Sequence, residues 1–274
     1  MSGSQLRVGI VDYLNAWPLA WGFMSGACGD GFEAVYLPPA EVAEQLAVGR
    51  LDVGLIPSIE VQRLPDLLVA PGLCVAATHE VQSVILLSRL PIERIRRVAL
   101  DRNSRTSAAL VQILLHDLHG LVAEVEVASP DAEEMLSRAD AALIIGDPAL
   151  RIDRSRYRVW DLAAEWRALT GRPFVFAVWA VRSGLSERQQ VTVSDCLTAS
   201  LELGLAELDE VSAKATRELD IPTSEALHYL NESLSYRLDD EALAGLADFY
   251  RRACARGLIE VPADLEFLAS GVPG

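Results

Sequence analysis

The sequence predicts an α/β protein of two lobes joined by a two-strand hinge, with a helical carboxyl-terminal region. Short apolar runs of strand type alternate with amphipathic stretches, the pattern of sheets connected by crossover helices. The chain has 274 residues, more than one domain of ordinary size. Two strands, Ser83–Leu87 and Phe174–Val181, are the candidate connections between lobes. Residues 1–88 and 178–274 are therefore expected to form a discontinuous first lobe around an inserted second lobe, 89–177. Hinged lobes commonly close over a small ligand.

The elements of the first lobe are predicted from apolar runs that stop at polar or turn-forming residues. Strands are expected at Arg7–Val11, Phe32–Leu37, Asp52–Ile56, Leu67–Ala76 and Ser83–Leu87. Pro39 begins a helix whose apolar residues recur at helical spacing, and Gly49 is placed to end it in a left-handed conformation.

The second lobe repeats this alternation of strands and helices. Its strands are expected at Val98–Leu100, Val122–Ala128 and Ala141–Ile145. One helix follows the polar loop 101–107, and another runs from about Pro130 to Arg138. The chain from Ser186 onwards is predicted to be helical, because leucines recur there in stripes such as Leu197, Leu201, Leu205 and Leu208.

The charge of the chain argues against two classes of partner. With 39 acidic and 24 basic residues, the formal net charge is −15. Non-specific binding to nucleic acid or to an anionic membrane is therefore unfavourable. No apolar run approaches the roughly 20 residues of a membrane span, and the amino terminus lacks the pattern of a signal peptide. The chain is expected in the cytoplasm, and its oligomeric state is left open.

The sequence offers no motif for a metal or a cofactor. Its four cysteines are scattered, with no CxxC pair and no histidine at ligand spacing. They are expected to be reduced, mostly buried thiols. The glycine-rich loops of nucleotide-binding proteins and the GxSxG motif of serine hydrolases are missing, so no support exists for those chemistries.

The most informative polar loop follows the opening strand. Asp12, Tyr13 and Asn15 come just past the carboxyl end of an apolar run, where open α/β sheets bind their ligands. Pro18 then restarts the chain as a helix. A strand-to-helix loop with an asparagine cap explains the same residues. A binding role is favoured because similar loops recur further along the chain.

The strongest local signal is the run Ser104, Arg105, Thr106 and Ser107, directly before an apolar helix. A hydroxyl residue at a helix start is an ordinary cap. Here three hydroxyls and a guanidinium cluster at a helix end that already favours anions. The run predicts a carboxylate site, and one cap with solvated neighbours is the alternative.

Further candidate residues are expected at the same edge of the sheets. Ser58 and Glu60 follow the third strand, and Ser83 begins the hinge strand. Ser58 and Ser83 are candidate substrate contacts, whereas Glu60 is a base or, more ordinarily, a cap or a solvated residue. Asp147 follows the last strand of the second lobe and either caps the next turn or meets a ligand hydroxyl. His79 is the one histidine near the expected cleft, and its role is left open.

In these motifs the sequence resembles the MqnA family of menaquinone biosynthesis, the chorismate dehydratases of the futalosine pathway. The resemblance runs from residue 7 to about 255. Its motifs are VGIVDYLN at 8–15, DVGLIPSIE at 52–60, SVILLS at 83–88, SRTS at 104–107, IGD at 145–147 and PFVFA at 173–177. It implies a periplasmic-binding-protein-like fold of the second type, used as an enzyme.

The resemblance also implies a reaction, the elimination of water from chorismate to give 3-[(1-carboxyvinyl)oxy]benzoate. That reaction belongs to the hydro-lyases and needs no cofactor. Asn15 is implied in the chemical step, where it orients the C4 hydroxyl or the acceptor of the migrating proton, since an amide is not a base. The substrate's enolpyruvyl carboxylate is one hypothesis for that acceptor. Trp17 stands where the family commonly has smaller residues, and it either narrows the pocket or packs under it.

Two alternatives from other classes remain open. The first is a solute-binding or sensor protein for a small carboxylate, which the missing export signal disfavours. The second is the related enzyme of the same pathway that forms a dihydroxynaphthoate. The run Ser104–Ser107 and the segment Pro57–Glu60 fit the dehydratase better.

Overall fold

The computed structural model describes residues 5–269. Two stretches lie outside this range, residues 1–4 and residues 270–274. The first belongs to the terminus that was searched for a signal-peptide pattern, and the second is the end of the expected first lobe. The described chain forms two mixed sheets with helices packed against both, and a largely helical carboxyl-terminal region. The predicted fold class is therefore confirmed.

The first sheet contains six strands. They are β1 (Leu6–Val11), β2 (Phe32–Leu37), β3 (Val53–Pro57), β4 (Leu67–Ala77), β10 (Phe174–Arg182) and β11 (Ser235–Leu238). Their order in space is β11-β4-β10-β3-β1-β2. β1 runs parallel to β2 and β3, so the loops after these strands meet at one edge. β10 lies antiparallel between β3 and β4.

The second sheet contains five strands. They are β5 (Val84–Ser88), β6 (Arg97–Asp101), β7 (Glu124–Ala128), β8 (Ala141–Ile145) and β9 (Arg158–Asp161). Their order in space is β7-β6-β8-β5-β9. β6 runs parallel to β7 and β8, whereas β5 is antiparallel to β8 and β9. The carboxyl ends of β6 and β8 carry the two polar segments 101–107 and 145–147.

Ten α-helices complete the described chain. They are α1 (Trp17–Met24), α2 (Pro39–Ala47), α3 (Arg105–Asp117), α4 (Ala132–Arg138), α5 (Asp147–Leu150), α6 (Leu162–Thr170), α7 (Glu187–Ala206), α8 (Leu208–Leu219), α9 (Thr223–His228) and α10 (Asp240–Ala255). α2 begins at Pro39 as predicted, and Gly49 follows it with φ 71°. α7 starts in a capping box, since Ser186 and Gln189 exchange hydrogen bonds between side chain and backbone.

The chain crosses between the sheets twice. It leaves the first sheet after β4, enters the second at β5, and returns from α6 to β10. Each of the two predicted connecting strands therefore pairs within one sheet, and the crossings lie in 78–83 and 171–173. The division into lobes 1–88 with 178–274 and 89–177 stays a proposal. The strand pairing favours moving its boundaries into these two crossings.

Two predictions about the carboxyl-terminal region were wrong. The region is not wholly helical, because β11 pairs antiparallel with β4 at the edge of the first sheet. A four-residue strand is too short to show a period, and the open edge of β4 exists only in the folded chain. Leu205 was also placed in the leucine stripe of α7, but 44% of it is exposed.

An aromatic cluster lies between β10 and the helices α6 and α10. The ring of Phe174 meets those of Trp166 and Phe249 edge to face, with centroids 5.3 and 5.0 Å apart. Phe176 continues the cluster, 4.7 Å from Phe174. Such pairs contribute roughly 0.5–1.5 kcal/mol each beyond their buried area. The cluster fixes the position of Phe176, whose ring faces the cleft described below.

Candidate active site

A cleft opens where the carboxyl ends of β1, β3, β6 and β8 converge. Its empty volume is about 510 Å³, counting the part open to solvent. The floor is apolar, and its residues are Val11, Ala16, Pro39, Leu55, Pro57, Val75, Val84, Ile145, Phe176 and Ala177. The polar lining residues are Tyr13, Asn15, Asn103, Ser104, Arg105, Thr106 and Ser107. An apolar floor with polar walls suits a carbocyclic ring that carries polar substituents.

One wall is the turn that follows β1. Residues Leu14–Ala16 form a short 3₁₀ turn, in which the Leu14 N–H donates to Asp147 Oδ1 at 3.0 Å. That bond joins the loop after β1 to the loop after β8. The Asn15 side chain makes no hydrogen bond to another residue within 5–269, although it lines the cleft. The structure therefore leaves its amide free to meet a ligand.

Trp17 does not line the cleft, so its ring does not narrow it. The sequence left open whether the ring narrows the pocket or packs under it. The side chain is buried, and its indole N–H donates to Asp12 Oδ1 at 3.1 Å. A second contact of the ring is with the Lys214 ammonium of α8, which lies 5.1 Å from the ring centroid.

The opposite wall is the amino end of α3. Ser104 is the residue before the helix, but its hydroxyl does not cap it. The Ser104 and Ser107 hydroxyls make no hydrogen bond to any residue that the structure describes, and both residues line the cleft. Two donors thus face the cleft beside the unpaired N–H groups of the first helical turn. This arrangement favours an anion, and the carboxylate site itself stays a prediction.

Thr106 connects this wall to the first sheet. Its Oγ1 accepts a hydrogen bond from the Ile59 N–H at 3.2 Å and lies 3.4 Å from Ser58 Oγ. The Thr106 hydroxyl therefore already contacts protein groups from the other sheet, although the residue lines the cleft.

Arg105 is already paired with acidic side chains. Its Nη1 donates to Glu60 Oε2 at 2.7 Å, and its Nη2 contacts Glu44 Oε1. Glu60 is buried and accepts a further bond from Arg63 Nη1 at 2.9 Å. Both oxygens of Glu60 are thus held by arginines, so the side chain holds Arg105 and neither caps a helix nor faces solvent. Arg105 keeps three further N–H donors, and its contact with a substrate carboxylate remains a prediction.

Three predicted contact residues lie behind the cleft surface. Ser58 is buried and its hydroxyl donates to the Val175 carbonyl at 2.8 Å. Ser83 is buried and its hydroxyl accepts from Tyr229 Oη at 2.6 Å. Asp147 is also buried, and burial raises its pKa to about 6, although the Leu14 N–H favours the ionised form. None of the three lines the cleft. Their role as substrate contacts stays a prediction, and their geometry favours positioning.

His79 does not reach this site. The residue is exposed, and it is not among those that line the cleft. It precedes β5 in the first crossing between the sheets, and this position gives it no contact with the cleft.

Two residues near the cleft were not predicted from the sequence as site residues, Asp101 at the end of β6 and Asn103 in the loop after it. Asn103 lines the cleft, and its side-chain amide lies beside the Tyr13 hydroxyl. Asp101 Oδ1 accepts from the Asn103 N–H at 2.9 Å and thereby shapes the loop. The same rule that singled out Asp12 and Asn15, a polar residue just past a strand, applied to both residues.

The carboxyl group of Asp101 is buried beside Tyr13. Its Oδ2 makes no hydrogen bond of ordinary geometry within the described chain. Burial raises the pKa of Asp101 to about 6, and the N–H groups of Asn103 and Ile145 offset this effect only in part. Burial and the nearby Asp101 and Asp147 raise the pKa of Tyr13 to about 12, so the Tyr13 hydroxyl stays protonated at neutral pH.

Gly146 lets Tyr13 approach the end of β8. A Cβ atom on Gly146 would stand 2.9 Å from ring carbons of Tyr13, closer than real Cβ contacts. Its φ of 66° also lies in the left-handed region. The glycine is therefore required by both its backbone conformation and the ring beside it.

Two other kinds of site have no counterpart in the described chain. Residues 5–269 contain no group of three or more His, Cys, Asp and Glu side chains that could hold a metal ion. Among the helices of the same range, none is long and apolar enough to cross a membrane.

Two α/β sheets that face one another across a partly polar cleft define a two-lobed protein of the periplasmic-binding-protein type. Solved structures agree. A protein of Archaeoglobus fulgidus has a TM-score of 0.78 at 16% identity, over 94% of this chain and 100% of that one. The periplasmic aliphatic sulphonate binding protein of Escherichia coli has a TM-score of 0.67 at 17% identity, over 96% of each chain.

The chain belongs to the menaquinone biosynthesis family, whose model matches residues 6–255. The chorismate dehydratase of Thermus thermophilus is 29% identical over 244 residues, which cover 80% of this chain and 86% of that protein. The chorismate dehydratase of Campylobacter jejuni is 27% identical over 257 residues, covering 91% and 98%. The family that the sequence motifs indicated is thereby confirmed.

Proposed function

We propose that this protein is a chorismate dehydratase, a carbon–oxygen lyase that converts chorismate into 3-[(1-carboxyvinyl)oxy]benzoate and water. The observation that carries the proposal is the cleft itself, in a chain of this family. Hydroxyls with no protein partner in the described chain stand on one wall, a free asparagine amide stands on the other, and the floor is apolar. The two relatives that bear this activity by name support it.

The amino end of α3 would bind a carboxylate of the substrate. The Ser104 and Ser107 hydroxyls face the cleft, and the first-turn N–H groups and the helix dipole favour negative charge there. Hydrogen bonds to an ionised acceptor are worth roughly 1.5–3 kcal/mol each. Chorismate is a dianion, so two carboxylates must be matched in an acidic protein. Local donors therefore have to outweigh the global charge of −15.

The elimination suits such a site. Loss of the C3 proton and the C4 hydroxyl makes the ring aromatic, and negative charge flows into the conjugated ring carboxylate as the proton leaves. Donors fixed at that carboxylate stabilise the transition state more than the ground state, often the largest single contribution to catalysis. The apolar floor around Phe176 and Ile145 receives the ring.

Asn15 would act on the other side of the ring. Its amide is free within the cleft and orients the C4 hydroxyl or the proton acceptor. No described carboxylate lines the cleft, and both oxygens of Glu60 are held by arginines. The substrate's own enolpyruvyl carboxylate is therefore the acceptor that we favour. The cytoplasmic location that the sequence favours also stays a prediction.

The test is to incubate the purified protein with chorismate alone and to follow mass and ultraviolet absorbance. The expected product has lost one water and is an aromatic enol ether. Asn15→Ala should lower turnover by roughly 10²–10³-fold, the usual effect of removing one oriented donor, with the unfolding midpoint unchanged. Asn231→Ala, an exposed asparagine, is the matched control. Full activity in Asn15→Ala would remove that residue from the mechanism.

The carboxylate site has its own test. Ser104→Ala and Ser107→Ala should each lower kcat/KM for chorismate by roughly 10–100-fold, which corresponds to the loss of one charge-assisted hydrogen bond to the substrate carboxylate. Ser137→Ala, an exposed serine in α4, is the matched control. Tight binding of chorismate that is recovered unchanged would favour a solute-binding protein, whereas conversion of a cyclised futalosine would favour the later enzyme of the pathway.

A further inference from the structure

A pair of thiols lies away from the cleft, where the loop after α1 meets α7. Cys28 Sγ and Cys196 Sγ are 2.8 Å apart, although 168 positions separate them in sequence. Cys74 is buried, whereas Cys28, Cys196 and Cys254 are partly buried, and all four are free thiols.

We propose that Cys28 and Cys196 form a dithiol modification site, which a small neutral disulfide converts into an intramolecular disulfide bond. The proposal does not depend on the function of the cleft. It depends on the distance between the two sulfur atoms, their access to solvent, and the packing of the segments that carry them.

The hydrogen bond between the thiols sets the order of the reaction. The Cys196 S–H donates to Cys28 Sγ. This bond lowers the pKa of Cys28 and raises that of Cys196. Cys28 is therefore the thiol that ionises more readily. Once it has lost its proton to solvent, it attacks one sulfur of the reagent RSSR and expels RS⁻, which takes up a proton.

The second step closes the ring. Cys196 loses its proton to solvent and attacks the Cys28 sulfur of the mixed disulfide, which releases the second RS⁻. Two protein thiols are oxidised, and one RSSR is reduced to two RSH. The atoms and electrons balance without any further oxidant.

A surface cavity gives the reagent access to both sulfur atoms. Its empty volume is about 570 Å³, counting the open part, and Cys28, Cys196, Asp195 and Ala199 are among its lining residues. Asp195 and the net charge of −15 disfavour an anionic reagent. A neutral reagent is therefore expected to react faster than glutathione disulfide.

The two segments are already held together, so a disulfide requires little movement. Ser200 on α7 accepts a hydrogen bond from the Gly22 N–H at 2.9 Å and donates to the Leu19 carbonyl at 2.8 Å. A disulfide bond is about 2.0 Å long. The sulfur atoms therefore need to approach by less than about 1 Å, which side-chain rotation can supply.

The experiment treats the reduced full-length protein with 2-hydroxyethyl disulfide, alkylates the remaining thiols in denaturant, and maps the peptides by mass. Two of the four thiols should escape alkylation, and a Cys28–Cys196 linked peptide should appear. Cys196→Ser should stop at a reagent adduct on Cys28, and Cys28→Ser should give no linked peptide. Cys254→Ser, which removes a half-buried thiol elsewhere, should behave as wild type.

Two results would overturn the proposal. One is four alkylated cysteines after the wild-type protein has been treated; the other is a linkage or adduct mainly at Cys254. A second readout needs no variant. The oxidised protein should unfold at a higher temperature than the reduced protein, because the bond closes a long loop, and reduction should reverse the shift.

Discussion

Asp101→Asn should stabilise the protein increasingly as the pH rises. Asp101 is 2% exposed, and its Oδ2 makes no ordinary hydrogen bond within the described chain. Burial raises its pKa from 3.8 to about 6. Below pH 3.8 the carboxyl is protonated in both folded and unfolded states. Between about pH 4 and 6 the folded state binds more protons, so a rise in pH weakens folding.

The magnitude follows from this difference in pKa. About two pKa units correspond to about 3 kcal/mol of unfolding free energy, which the ionised Asp101 costs the folded protein at pH 7 and above. Asparagine cannot ionise, so it removes this cost. The unpartnered amide that replaces Oδ2 adds its own penalty of roughly 1–3 kcal/mol, but this penalty is the same at every pH. The pH dependence of the variant's effect is therefore the informative quantity.

The assay is urea unfolding of wild type and variant at several pH values from 4 to 8. The stability of Asp101→Asn relative to wild type should improve by about 2.4 kcal/mol across that range, because part of the full effect already falls below pH 4. The similar raised pKa of Asp147 is common to both proteins and cancels in the difference. Asp131→Asn is the control. Asp131 is exposed and caps α4, and an asparagine can supply the same cap. A difference that does not change with pH would refute the reasoning.

Two further substitutions probe the packing around the site. Glu60→Gln should lower the free energy of unfolding in urea by roughly 1–3 kcal/mol and should lower kcat, because Arg105 loses a buried charged partner. Glu44 is the other partner of Arg105, and its side chain is 61% exposed. Glu44→Gln should therefore change the free energy of unfolding by less than about 1 kcal/mol. Gly204→Ala should lower the free energy of unfolding by roughly 1–3 kcal/mol and lower the thermal midpoint, because the new Cβ would stand 2.2 Å from a carbonyl oxygen of α1. A Cβ on Gly184 meets open space, so Gly184→Ala should be tolerated.

The parts of the fold that follow local rules were predictable from the sequence. β2 and β8 have the predicted bounds, because an apolar run between turn residues is a local signal. The loops after β1 and β3 lie at one edge of the first sheet, and those after β6 and β8 lie at one edge of the second, because the carboxyl ends of parallel strands share an edge. Residues from both edges line the cleft. The same local rule is sufficient to predict Asn15 and Ser104 as site residues from the sequence alone.

Partner choice could not be predicted in this way. The hydroxyls of Ser58 and Ser83 are bonded to Val175 and Tyr229, which lie 117 and 146 positions away. Arg105 meets Glu60 only because α3 packs on the turn after β3. A sequence shows which groups are polar, but the fold decides which of them remain free for a ligand.

Two of the contacts between the lobes lie next to the proposed site residues in sequence. Leu14, which bonds Asp147, precedes Asn15, and Thr106, which bonds Ile59, stands between Arg105 and Ser107. Separation of the lobes would break these bonds and carry Asn15 away from the amino end of α3. The same contacts therefore hold the lobes together and bring the two walls of the site to working distance. This explains why Asp147 is buried in spite of the cost of its ionised form, since its bond to the Leu14 N–H fixes the turn that presents Asn15.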